Sequence, residues 1–327
     1  MQSFAGDKDD YKLDGDQYLS DACLRISEGE DVDLTDEPIC YDLYYLYFQQ
    51  QQNHNIDMSK IEFESKYDYS AHKRIAADAL RIMSHDIGNS LYNGTYVEDG
   101  ETKNYNDLFI QMAAEPDSSE RGYYNGYNDD GSLKYSLYTN PLYWFSGHFY
   151  HPQTEVNNKD TNENTAKLNA KLHYDRALYF YKNGNTLLAF KELGKGTHYV
   201  MDACECHHAT GEDAVASNNN HGEFEKQIDA AIQATAGWTL IGGDLGSGHY
   251  YDNSVYNEAL QISVENIVRN NGYSSFPLLA KSKNSNNVDA NDVVYATYKN
   301  AVMATVQYYY KFAHETGVNI SFASDIN

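Results

Sequence analysis

An all-α fold, a single multi-helix domain behind an N-terminal extension, is what this sequence predicts. Three observations carry the prediction. Apolar residues recur at three- and four-residue steps through several long stretches. Strand-type alternation never persists for long. Hydrophobic residues make up 41% of the 327, with 31 Tyr and 12 Phe among the aromatics, enough to bury a sizeable core.

Residues 1–58 stand apart as the extension: strongly acidic at first, then Tyr-rich through "YDLYYLYFQQQQNHN". The helical domain spans 59–327. "SAHKRIAADALRIMSHD" (70–86) opens it, with Ile75, Ala79, Ile82 and Met83 on one face and no Pro or Gly inside. "LYNGTYVEDGETKN" and "PDSSERGYYNGYNDDGS" read as polar loops, the second long enough to be functional. Helical period returns in "NTAKLNAKLHYDRALYFYKNG", "NTLLAFKELGKGTHYVMDACECHH" and "GEFEKQIDAAIQATAGWTLI". "NSVYNEALQISVENIVRNN" and "NDVVYATYKNAVMATVQYYYKFAHE" each read as one further long helix.

A formal charge of −24 argues against a protein that grips nucleic acid through a broad basic face. No run of 18 apolar residues exists, so no transmembrane segment is expected. The start "MQSFAGDKDDYKLDGDQ" lacks the basic and apolar regions of a signal peptide. Abundant Tyr, Asn, Asp and Ser with little Lys and Arg suits a secreted or surface-exposed protein. Cys23 and Cys40 can bridge within the extension, which fits an oxidising compartment, whereas Cys204 and Cys206 are poorly placed to bridge each other.

Chemistry concentrates in "GTHYVMDACECHHATGEDAVASNNNHGEFE". Positions i and i+4 of a helix share a face. His198 with Asp202, and His221 with Glu225, therefore each present an imidazole and a carboxylate to one cation. His208, six residues after Asp202, reaches the same place as the chain leaves the helix, and periodicity alone does not choose between it and His207. One such pair is ordinarily a surface ion pair. Two of them with a further histidine read as a polynuclear metal site, and zinc accepts this mixture of nitrogen and oxygen donors.

The motifs "SAHKRIAADALRIMSHD", "FSGHFYHPQT", "LGKGTHYVMD" followed by "CHH", and "HGEFE" resemble the bacterial zinc-dependent phospholipase C family. That family includes phosphatidylcholine-preferring enzymes and the clostridial alpha-toxin catalytic domain. The similarity runs from about Ser59 to His314. It implies an all-helical domain of the zinc-dependent phospholipase C and nuclease type. It further implies that His148, His198, Asp202 and a loop aspartate hold a first zinc, and His208, His221 and Glu225 a second. His72 would hold a third, with Asp202 bridging. The loop aspartate is assigned to Asp117 of "AAEPDSS", with Asp129 and Asp130 as alternatives. Phe145 would touch the headgroup or glycerol backbone of the substrate.

The family begins its mature chain with a Trp whose free amine completes the third zinc shell, and no Trp stands near Ser59. An internal peptide nitrogen cannot replace an amine, because its lone pair is delocalised. Two zinc ions are thus expected, with the third site in question. The implied activity is hydrolysis of a phosphatidylcholine-like phospholipid at a membrane surface. Water attacks phosphorus in line with Asp117 as base or orienter, releasing diacylglycerol and a phosphorylated headgroup. Two other readings remain. One is a zinc-dependent single-strand nuclease, whose last motif resembles H-x3-D where this chain has H-x3-E. The other is a non-catalytic surface or assembly protein, suggested by the long extension and the missing Trp.

Overall fold

The computed structural model describes residues 69–87, 94–120, 122–127, 133–138, 145–157, 164–210, 250–251, 253–278 and 289–317, together with Ile228. The acidic extension, Cys23, Cys40, Ser59, Asp129, Asp130, His221 and Glu225 lie outside them. The stretch "GEFEKQIDAAIQATAGWTLI" is described only at Ile228, which is helical and buried.

Helix α1 (Tyr69–Asp86) buries Ile75, Ala76, Ala79, Ile82 and Met83, the stripe that its periodicity predicts. Two short antiparallel hairpins follow where the sequence reads as loop, and this corrects the loop assignment. Strand β1 (Thr95–Glu98) pairs with β2 (Glu101–Asn104), Glu98 facing Glu101 across a two-residue turn. That turn is Asp99-Gly100, both with positive φ (56° and 81°), the conformation that a twisted two-residue hairpin requires. Strand β3 (Gly122–Tyr127) pairs with β4 (Leu133–Leu137). Strands β1 and β2 have only four residues each, and a register shift between Tyr124 and Tyr127 interrupts the second hairpin, so alternation does not persist.

Between the hairpins lie α2 (Tyr105–Met112), capped by the Asn104 side chain, and the single turn α3 (Pro116–Ser119). A 3-10 turn, Ser146–His148, precedes the antiparallel pair α4 (Ala166–Lys182) and α5 (Thr186–Asp202). Gly184, at φ 78°, closes the link between them, and Asn185 caps α5 by accepting from the N–H of Leu188. Helix α5 stops at Asp202 and the chain restarts as α6 (Cys206–Thr210), so the long periodic stretch is two helices. The same correction applies further on: α7 (Asn253–Gln261) and α8 (Val264–Ser275) are separate, because Ser263 turns its side chain to cap α8. Helix α9 (Asp289–Glu315) ends the described chain.

The buried apolar side chains form one core in which α5 and α9 are central. The Phe109 ring packs at a tilt against those of Phe190 and Tyr309, with centroids 4.9 and 5.2 Å apart. Gly196 lets α5 approach its neighbours closely, for a Cβ there would sit 2.0 Å from the Tyr308 hydroxyl. Helix α5 is thereby held rigidly at the centre of the molecule, and its last turn carries the site.

Candidate metal centre

Asp202 closes α5 one turn after His198, and neither side chain is exposed. The Nδ1 of His198 lies 2.8 Å from the carbonyl oxygen of Ala113. A carbonyl only accepts, so Nδ1 carries a proton and Nε2 is the nitrogen that faces inward. There Nε2 meets Asp202 Oδ2 at 3.0 Å and His148 Nδ1 at 2.9 Å. His148 Nδ1 is itself 2.7 Å from Asp202 Oδ2, so three donor atoms converge on one point. The 3-10 turn delivers His148, and Phe149 continues it by donating its N–H to Ser146.

Asp117 and His72 close a second triangle on the same imidazole. Asp117 Oδ1 lies 3.4 Å from His198 Nε2 and 3.7 Å from His148 Nδ1, while Oδ2 lies 3.6 Å from His72 Nδ1. The His72 and His198 rings stack at 4.0 Å, and His72 Nε2 is 3.2 Å from Asp202 Oδ1. His208 Nδ1, brought round on α6, is 3.4 Å from that same oxygen. Asp202 thus touches four imidazoles. His207 takes another direction: Glu205 Oε1 lies 2.8 Å from its Nδ1, and Glu205 Oε2 accepts the N–H groups of His207 and His208 at 2.8 Å each.

The contacts among His148, His198 and Asp202, at 2.7–3.0 Å, are hydrogen-bond distances, whereas those of Asp117 match a zinc shell better. Donors bound at 2.0–2.2 Å in a tetrahedron stand about 3.3–3.6 Å apart. The 3.4–3.7 Å contacts of Asp117 are long for hydrogen bonds yet lie close to that spacing. Asp117 Oδ2 is buried and accepts no hydrogen bond from the described residues. A buried carboxylate oxygen facing imidazole nitrogens at that range is what a cation would satisfy. Nitrogen and oxygen donors around a protein-oriented histidine suit zinc, so the residues fit the ion.

The carboxylates draw positive charge into the site, which a proton on His198 supplies in the metal-free protein and which zinc would displace. Burial opposes charge on His198, but the Asp202 and Asp117 carboxylates hold its pKa well above the ordinary value. On His72 burial prevails, helped by its cationic neighbour His198, and the pKa falls. Of the stacked pair, His198 rather than His72 is the one that takes up positive charge. Burial disfavours both carboxylates, yet His198 above all keeps Asp117 below, and Asp202 well below, the usual range. Acceptors that stay ionised in a dry site are ready ligands.

Phe145 precedes His148 with φ 62°, a left-handed backbone that an aromatic residue rarely adopts, and its ring lies 5.4 Å from the His148 ring. Of the sequence-predicted site residues, the structure brings together His72, Asp117, His148, His198, Asp202 and His208, with Phe145 beside them. His221 and Glu225 fall outside the described residues. Sequence reasoning missed Glu205, which holds His207 and His208, and the group formed by buried Glu120, His173 and Tyr199 with half-buried Lys195. A glutamate just ahead of "CHH" was a signal for the first. Contacts spread over many tens of residues left none for the second.

The sequence profile of the family described as zinc-dependent phospholipase C matches residues 71–276, more than half of the chain. Among solved structures, the alpha toxin from Clostridium absonum superposes with a TM-score of 0.54 at 17% identity, over 76% of this chain and 64% of the toxin. An alpha-toxin from an avian strain of Clostridium perfringens gives 0.53 at 19% identity, over 75% and 63%. The chain therefore spans less than two thirds of either toxin's length, and likeness at this identity carries the fold. Curated proteins yield no match. The profile match and the shared all-helical fold lead to one conclusion: the chain belongs to the zinc-dependent phospholipase C family.

Proposed function

We propose that the chain hydrolyses the phosphodiester of a phosphatidylcholine-like phospholipid, releasing diacylglycerol and a phosphorylated headgroup. The observation that carries this reading is the convergence of five donor side chains, His72, Asp117, His148, His198 and Asp202, in two buried triangles that share His198, with His208 at their edge. His148, His198, Asp202 and Asp117 would hold one zinc ion, His208 with His221 and Glu225 a second, and His72 a further one with Asp202. Zinc bound there supplies a Lewis acid for the phosphoryl oxygens and brings a water's pKa towards about 7.

The chain's own groups arrange the rest. His198, His72 and Asp202 are fully buried, whereas Asp117 and His208 keep 8% and 7% exposure, so the phosphodiester enters from the side of Asp117 and His208. Asp117, ionised and rigidly placed, orients the attacking water and takes its proton at a carboxylate oxygen. The diacylglycerol oxygen departs on the far side of phosphorus and takes a proton from solvent water, and Asp117 then returns its proton to solvent. Phe145, half-buried beside His148, packs on the headgroup or glycerol backbone. The substrate sits at a membrane surface and the protein acts outside the cell. No helix among the described residues is long and apolar enough to cross a bilayer.

Zinc content and phosphocholine release are the test, with single-stranded DNA assayed beside phosphatidylcholine vesicles, before and after proteolysis near Ser59. Phosphocholine release that is lost with the metal and restored by zinc supports the reading. Cleavage of DNA alone replaces it with a nuclease. A chain without bound zinc in either form leaves a structural protein.

A further inference from the structure

Helix α3, which carries Asp117, is a single turn of four residues. One turn has almost no stability of its own, since fixing its dihedrals gains a hydrogen bond or two. Its N-cap, Glu115, makes no side-chain capping bond. Something outside the turn must therefore set Asp117 to within a fraction of an ångström of the imidazoles.

Helix α5 supplies it. Lys195 Nζ lies 2.7 Å from Glu115 Oε2 and 3.1 Å from Glu120 Oε1, reaching the residues on either side of α3. Glu120 is 4% exposed, and its other oxygen accepts the hydroxyl proton of Tyr199 and faces His173 Nε2 at 3.6 Å. His173 is held from behind by Glu192 at 2.8 Å. Lys195 stands one turn before His198, and Tyr199 directly follows it. The helix that provides two ligands thus also holds the turn that provides a third.

We propose that Lys195, with Glu115 and Glu120, is a bracket that positions Asp117 for the metal, so that these three are positioning residues for the centre. The inference rests on the zinc reading above. The charge pattern agrees with it: burial disfavours ionised Glu120, yet His173 and Lys195 hold it below the usual carboxylate range, so Glu120 and Lys195 meet as full charges. Full charges resist displacement more than neutral hydrogen bonds do.

The test uses the full chain and three variants, Lys195→Met, Lys195→Arg and Glu115→Gln. Zinc affinity is read by competition with a chromophoric chelator, and ligand geometry by the visible absorption of the cobalt-substituted protein. Lys195→Met is expected to weaken zinc about 10–100-fold at the Asp117 site, the usual effect of removing a partner that orients a ligand. Its cobalt spectrum should change in intensity and shape. Lys195→Arg, whose fork also spans two carboxylates, should restore both. Glu115→Gln, at the more exposed end, should give a smaller loss in the same direction. If the wild-type chain binds zinc while Lys195→Met and Glu115→Gln bind it equally well with an unchanged cobalt spectrum, the bracket is overturned and the zinc reading stands. A wild-type chain that binds no zinc overturns both.

Discussion

Asp202→Asn is the sharpest perturbation available, because Asp202 lies within 3.4 Å of His72, His148, His198 and His208 while the amide keeps the shape of the acid. Its effect on metal binding follows from charge. A unit charge about 4 Å from another is worth about 4 kcal/mol at an effective dielectric constant near 20. Losing one carboxylate beside a cation should then weaken binding by about 10³-fold. At free zinc 1,000 times the wild-type Kd, binding stabilises the native state by about 4.1 kcal/mol. For a domain of this size that raises Tm by about 8–16 °C. At the same zinc concentration the variant sits near its own Kd and gains about 0.4 kcal/mol, roughly 1 °C. The readout is the difference between zinc-loaded and chelator-stripped melts of each protein, which cancels any change that the substitution makes to the metal-free fold. A variant that keeps half or more of the wild-type increment refutes the placement of Asp202 at the heart of the site.

Further consequences are open to direct measurement. Gly196→Ala puts a Cβ 2.0 Å from the Tyr308 hydroxyl and 3.0 Å from His173 Cβ, so it should cost about 1–3 kcal/mol by chemical denaturation; a stabilised variant contradicts the packing of α5. Burial disfavours the His173 cation, but Glu120 and Glu192 push its pKa up from 6.5 to about 9. A raised folded pKa contributes stability that is complete below about pH 6.5 and lost as pH climbs through about 9, here at most about 3 kcal/mol. His173→Gln should abolish that decline in the metal-free protein, and a decline of equal size in the variant excludes His173 as its source. Phe145→Gly relieves a left-handed backbone worth about 1–3 kcal/mol. It should therefore hold or raise Tm and keep zinc content while kcat/KM on short-chain phosphatidylcholine falls about tenfold; unchanged turnover removes Phe145 from the substrate site.

What could be read in advance divides by the range of the interactions. His198 and Asp202 were legible because their relation is local, four residues on one helix. The stripe through Ile75, Ala79, Ile82 and Met83 was legible for the same reason. His72 lies 130 residues from the Asp202 that it touches, and only the family resemblance joins them in the sequence. Neither spacing nor period could choose between His207 and His208; Glu205 decides, by drawing His207 aside and capping α6. The breaks after Asp202 and before Val264 were hidden because apolar period continues across them, although Ser263 is a cap signal. The first hairpin was announced only by Asp99-Gly100, a turn signal that four-residue strands could not reinforce. The Lys195 bracket had no local mark at all, since its glutamates come from 75 to 80 positions earlier.

Anomalous diffraction from crystals of the zinc-loaded full chain, recorded on both sides of the zinc absorption edge, tests the central claim most directly. The account predicts a peak enclosed by His148 Nδ1, His198 Nε2 and carboxylate oxygens of Asp117 and Asp202. Zinc located elsewhere on the molecule, with those donors still hydrogen-bonded to one another, would contradict it.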